Sequence, residues 1–242
     1  MLARALRCLM AAAISLPLLA PPGTAHAAGD SDAYAFLSLR SGHDLVARWN
    51  PCEPIAYSVN LTHAPQDSLT EVKAAVARIA AATGLTFHYT GTTGHVPGRT
   101  PSDYPPGVHL IIAWTETPIP AAGDAAGVGG AAYTTGHDEA GAGALLIARG
   151  MVLLDATKTA TMPQGFGAAP GGTTGRLLLH ELGHAVGLAH PLINDPQEIM
   201  YARVTAQSAA WGAGDLTGLH AVGASHGCLH ADTTPSTALA SN

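Results

Sequence analysis

The chain has 242 residues, 47% of them hydrophobic and 12% charged, with a mean hydropathy of +0.20. That composition belongs to a folded globular protein and excludes an intrinsically disordered one. The formal net charge is −6 and the only lysines are Lys73 and Lys158, so no basic stripe exists for nucleic acid or an anionic membrane surface to bind.

Residues 1–27 read as an export signal. Arg4 and Arg7 precede an apolar run from Leu9 to Ala20, and Ala25-His26-Ala27 is a small-x-small cleavage pattern. The run is short and is broken by Pro17, which rules out a membrane anchor and points to secretion. Cleavage takes the net charge to about −8 by removing Arg4 and Arg7. It also removes Cys8, leaving Cys52 and Cys228 as an even pair that an oxidising compartment is expected to join, with two buried free thiols as the alternative.

Residues 28–48 form a short polar segment, and one domain is expected from Trp49 to residue 230. Ile55–Val59 reads as a strand. Ser68-Leu69-Thr70-Glu71 has the form of a capping box, and Leu69, Val72, Val76 and Ile79 then recur at helical spacing until Thr83-Gly84 supplies a stop. Leu85–Tyr89 and Val108–Trp114 read as strands flanking a Gly/Thr/Pro-rich loop. The Gly- and Ala-rich residues 123–143 have few bulky anchors, and Ala144–Leu154 is a strand region interrupted near Arg149-Gly150. After a second Gly/Pro-rich loop over 163–172, Thr173 or Thr174 caps a helix that ends at Gly187. Residues 231–242 read as a disordered polar tail.

The chemistry lies in His180-Glu181-Leu182-Gly183-His184-Ala185-Val186-Gly187-Leu188-Ala189-His190. On a helix, residues four apart share a face, so His180 and His184 aim at one point with Glu181 beside them. Gly187 can take the positive φ needed to end the helix and return His190 to the same point. Three imidazoles with a fourth position left open form the ligand set expected of catalytic Zn²⁺, with Glu181 as general base and not as a ligand.

HExxHxxGxxH is the signature of the metzincin metallopeptidases, and this chain resembles them. Met200, ten residues after His190, resembles the family's Met-turn. Asp195-Pro196, Met200-Tyr201 and the stretch Gly214–Gly223 are most similar to the matrixin branch. The resemblance covers most of residues 49–228 and is sharp only from His180 to Met200.

It implies an α+β metzincin fold: a twisted mixed β-sheet with helices, the active-site helix under a cleft, and a small C-terminal subdomain ending in a helix. It also implies endopeptidase activity on extracellular protein or peptide, by a monomer. Tyr201 is expected in the wall of the substrate pocket, and Gly127–Tyr133 as an edge strand on which an extended peptide pairs. No cysteine-switch motif is visible. His88, His95, His109, His137 and Asp138 match no structural zinc or Ca²⁺ set. The rival readings are a zinc-binding module without catalysis and a zinc amidase or deacetylase.

Overall fold

The computed structural model describes residues 27–98, 104–117, 119 and 123–232, and the backbone of 237–241. The residues read as an export signal therefore lie outside the described residues, apart from Ala27. None of the described helices is long and apolar enough to cross a membrane.

The architecture is mixed α+β. In chain order it runs β1 (Ala35–Phe36), α1 (Leu37–Arg40), β2 (Ala47–Arg48), β3 (Ile55–Asn60), α2 (Ser68–Thr83), β4 (Phe87–Thr92), β5 (Leu110–Thr115), β6 (Gly127–Asp138) and β7 (Gly143–Asp155). It continues through α3 (Ala156–Thr159), α4 (Thr174–Ala185), β8 (Leu188–Ala189), α5 (Ala213–Ala221), β9 (Leu229–Ala231) and β10 (Thr237–Ser241).

The curled main sheet has the order β10-β6-β7-β5-β3-β4, with β2 added to β7 and β9 to β6. Strands β4, β3, β5 and β7 run parallel, whereas β6 is antiparallel to β7. Strand β5 reads as one apolar run because both of its faces are covered. Leu110, Ile112 and Trp114 join the core with α2 and α4, while Ile111 and Ala113 pack with Tyr104, Val108, Val128 and Leu153. The interruption expected near Arg149 is a bulge: Ala132 pairs with Arg149 and Tyr133 with Ile147, so Ala148 is looped out of the ladder, and β7 continues through it.

Three local readings need correction. The Ser68/Glu71 capping box does not form, because Ser68 Oγ donates to the Pro65 carbonyl. The buried Glu71 carboxylate instead accepts from Gly165 N at 2.5 Å and Thr174 Oγ1 at 2.7 Å, so the long-range contact displaces the local cap. Glu71 thereby ties α2 to the start of α4. The 28–48 segment is also structural, since β1 pairs with β8 and Leu37 N donates to the Gly187 carbonyl at 2.9 Å. In the stretch read as a polar tail, Ala231 belongs to β9 and 237–241 form β10, both paired with β6, because an open strand edge offers backbone partners to any uncharged extended segment.

Cys52 and Cys228 form a disulfide that joins residues 176 apart in sequence. Beside it, Asn50 Oδ1 accepts from Cys52 N at 3.2 Å and Leu229 N at 3.1 Å. In the chain-entropy model a loop of this length stabilises the folded state by about 3 to 5 kcal/mol.

Candidate metal centre

Helix α4 begins where Thr173 Oγ1 accepts from Arg176 N at 3.2 Å, and every residue of the helix is buried. After Ala185 the chain leaves the helix through Gly187, whose φ of +111° is left-handed and whose missing side chain lets the Ala47 carbonyl approach. Strand β8 follows at once and is pinned by β1, which delivers His190 back to the helix.

His180 Nδ1 lies 2.7 Å from the Ile199 carbonyl and His184 Nδ1 lies 2.8 Å from the Leu188 carbonyl. A carbonyl only accepts, so both rings carry their proton on Nδ1 and present a bare Nε2. The three Nε2 atoms of His180, His184 and His190 stand 3.0, 3.2 and 3.3 Å apart. With no proton on either, the Nε2 atoms of His180 and His184 face each other lone pair to lone pair at 3.2 Å, a repulsion that a cation between them relieves. Tetrahedral coordination at about 2.05 Å requires N···N separations of about 3.3 Å, so the triangle fits a metal ion of zinc's size. Burial pushes His180 down to about 4, and His184 and His190 also lie below the ordinary imidazole range for the same reason. Neutral imidazoles are the ligating form.

Glu181 is 4% exposed, and burial pushes its carboxyl up to about 8 against a hydrogen bond from the Gly129 backbone. A dication held by the imidazoles would act in the same downward direction as that hydrogen bond. The carboxylate faces the start of β6: a Cβ placed on Gly127 would come within 3.0 Å of Glu181 Oε1. Together they border a cleft of about 500 Å³ lined by Gly127, Leu177, the three histidines and Val204. Neither a known protein family nor a curated protein matches the sequence.

Met200 is buried against α4, and a Cβ on Gly183 would collide with its Sδ, so helix and thioether are in direct contact only because residue 183 is glycine. Sequence reasoning missed what holds the turn at Met200 in place. Asp215, at the start of α5, accepts from the backbone N–H of Ile199, Met200 and Gly212 at 2.5, 3.0 and 2.9 Å. Glu198 accepts from Gly214 N and Asp215 N, and the buried Arg176 guanidinium donates to the Glu198 carbonyl at 2.7 Å. Acids on opposite sides of a turn leave no periodic signal in the chain.

Tyr201 is half-buried and does not line the cleft; the bend that follows the Met200 turn gives that wall to Ala202, Arg203 and Val204. The remaining candidates do not gather at any centre, since among the described residues only His180, His184 and His190 are grouped to hold a metal. His88 is exposed, and the half-buried His109 uses Nδ1 to accept from Ala56 N at 3.2 Å.

Burial beside Asp215 pushes Glu198 up to about 7. The folded chain therefore keeps a proton between about pH 4.5 and 7 that the unfolded chain releases. The resulting stabilisation is complete below the unfolded value and is lost as pH rises through 7. Glu198→Gln removes this dependence, so its stability relative to wild type should improve by on the order of 2 kcal/mol from pH 5 to pH 8. Thermal unfolding of both proteins checks this, and a gap independent of pH contradicts the protonated Glu198.

Proposed function

We propose that this chain is a secreted zinc-dependent endopeptidase of the metzincin type, most like the matrixin branch, acting on extracellular protein or peptide. The observation that carries the reading is the triangle of Nε2 atoms 3.0 to 3.3 Å apart, with the buried Glu181 carboxylate beside it in one cleft. A structural zinc site has no use for such a carboxylate, and three protein ligands leave one position for chemistry.

Zinc, when bound, supplies a Lewis acid that acidifies a water molecule and polarises a peptide carbonyl. The chain's own residues do the rest. His180, His184 and His190 hold the ion, and the Ile199 and Leu188 carbonyls keep the first two rings oriented. Glu181 takes the proton from the attacking water and hands it to the departing amine nitrogen. Residues 127–129 of β6 present backbone groups next to that carboxylate, where an extended peptide can pair and bring its carbonyl to the attack point.

Purified protein is expected to hold about one zinc ion per chain and to cleave a proteome-derived peptide library, to stop when treated with a chelator, and to recover with added zinc. Metal analysis with mass-spectrometric cleavage profiling is the test. A protein that holds zinc and cleaves nothing is a binding module. One that hydrolyses side-chain or N-acetyl amides but no peptide bond is an amidase or deacetylase.

A further inference from the structure

We infer that Thr237–Ser241 is an intramolecular occupant of the substrate edge, a strand this chain lays along β6 and must release before an extended peptide can bind. The inference rests on the peptidase reading for what the edge receives. One edge of β6 is paired with β7 along most of its length. The other carries β9 at Gly136–Asp138 and β10 at Gly130–Thr134, both antiparallel. Of the expected peptide-binding edge, only Gly127, Val128 and Gly129 lack a strand partner on that side among the described residues, and Gly127 and Gly129 are the ones that touch Glu181.

The register runs without a break from Thr237 opposite Thr134 to Ser241 opposite Gly130. Strand β10 therefore advances along β6 toward Gly127 and the catalytic carboxylate. A peptide pairing antiparallel with the same edge would run in the same direction and need the same N–H and C=O groups. Each group serves one ladder, so β10 and such a peptide exclude one another over Gly130–Thr134.

The strand also lacks the charges and prolines that usually blunt an edge, reading Thr-Ala-Leu-Ala-Ser. Its approach is anchored, because β9 lies just upstream on the same edge, next to the Cys52–Cys228 disulfide and the Asn50 contact to Leu229. Tethering of this kind gives an effective concentration in the millimolar range, enough to outcompete a weakly binding extended peptide by about tenfold or more.

The test is the full chain with Leu239→Pro and Ala240→Pro together. Neighbouring residues of an antiparallel strand alternate in pointing N–H groups toward and away from the partner, so one of the two prolines must delete a ladder donor. Amide exchange read by mass spectrometry should speed up about tenfold or more over Gly130–Thr134. A fluorescein-labelled synthetic peptide with the sequence of residues 232–242 should bind the variant at least about tenfold more tightly than it binds wild type. Cleavage of a fluorogenic peptide should rise by a similar factor, chiefly through KM.

Unchanged exchange shows that the strand does not form in solution, and equal peptide binding despite lost protection shows that it covers no peptide site; either overturns the inference. Should the double variant fail to unfold cooperatively, the single variants decide. One of them must open the edge and the other leave it closed, and identical behaviour of the two overturns the pairing. Equal cleavage by wild type and variant sinks the inference while leaving the peptidase standing. Tighter binding by the variant with no cleavage by either protein sinks the peptidase reading alone.

Discussion

Glu181→Ala should lower kcat/KM for a peptide substrate by about 10²- to 10⁴-fold while the protein keeps its metal, the range expected when a general acid–base is lost. The two readouts separate because Glu181 is not among the three clustered histidines, whose ring positions are set by the Ile199 and Leu188 carbonyls. Removing a carboxylate pushed up to about 8 by burial should not unfold the chain either, since the hydrogen bond it accepts there comes from the Gly129 backbone. Glu181→Gln sharpens the test: it preserves volume and can still accept from Gly129, yet it takes no proton near neutral pH. Both variants should bind zinc like wild type and cleave far more slowly. A Glu181→Ala protein that cleaves as fast as wild type removes the proposed mechanism, and one that loses zinc makes Glu181 a ligand.

How much of this site is legible in the sequence depends on whether the rule that builds it is local. His180 and His184 meet because a helix repeats every 3.6 residues, and Gly187 is marked as a turn because only glycine takes a φ of +111° freely. Both rules act within one stretch of chain. The supporting contacts obey no such spacing. Glu71 looks like half of a capping box by its distance from Ser68, yet it is drawn to Thr174, more than a hundred residues away, because Thr174 Oγ1 at the start of α4 and Gly165 N in the loop before it offer two donors in a buried place. Asp215 is recognisable only as part of the closing stretch Gly214–Gly223, and its hold on Ile199 and Met200 appears once α5 folds back beneath the turn. The final strand fails for a related reason: Thr237–Ser241 has little hydrophobic pattern of its own and becomes a strand only where β6 offers an edge.

The Gly- and Ala-rich stretch around β6 looks weakly anchored in sequence because its packing uses what the side chains lack. A Cβ on Gly129 would stand 2.1 Å from the Glu181 carbonyl oxygen and 2.8 Å from its carbonyl carbon, so strand and helix meet backbone to backbone at the residue that bears the proposed general base. Gly129→Ala should therefore destabilise the protein by about 3 kcal/mol, the upper part of the range for overpacking, because the obstacle is helix backbone and not a flexible side chain. This cost arises even though alanine suits a strand better than glycine does and reduces the entropy of the unfolded chain. If β6 yields instead of α4, the hydrogen bond from Gly129 to Glu181 lengthens, and kcat falls while zinc content stays at wild-type level. Gly143→Ala, in β7 where an added Cβ would meet nothing within 4 Å, is the comparison and should cost far less. Urea unfolding of the two variants, with zinc content and peptide cleavage measured on the folded fractions, decides the point. Equal stability for Gly129→Ala and Gly143→Ala would mean that β6 and α4 do not touch at Glu181.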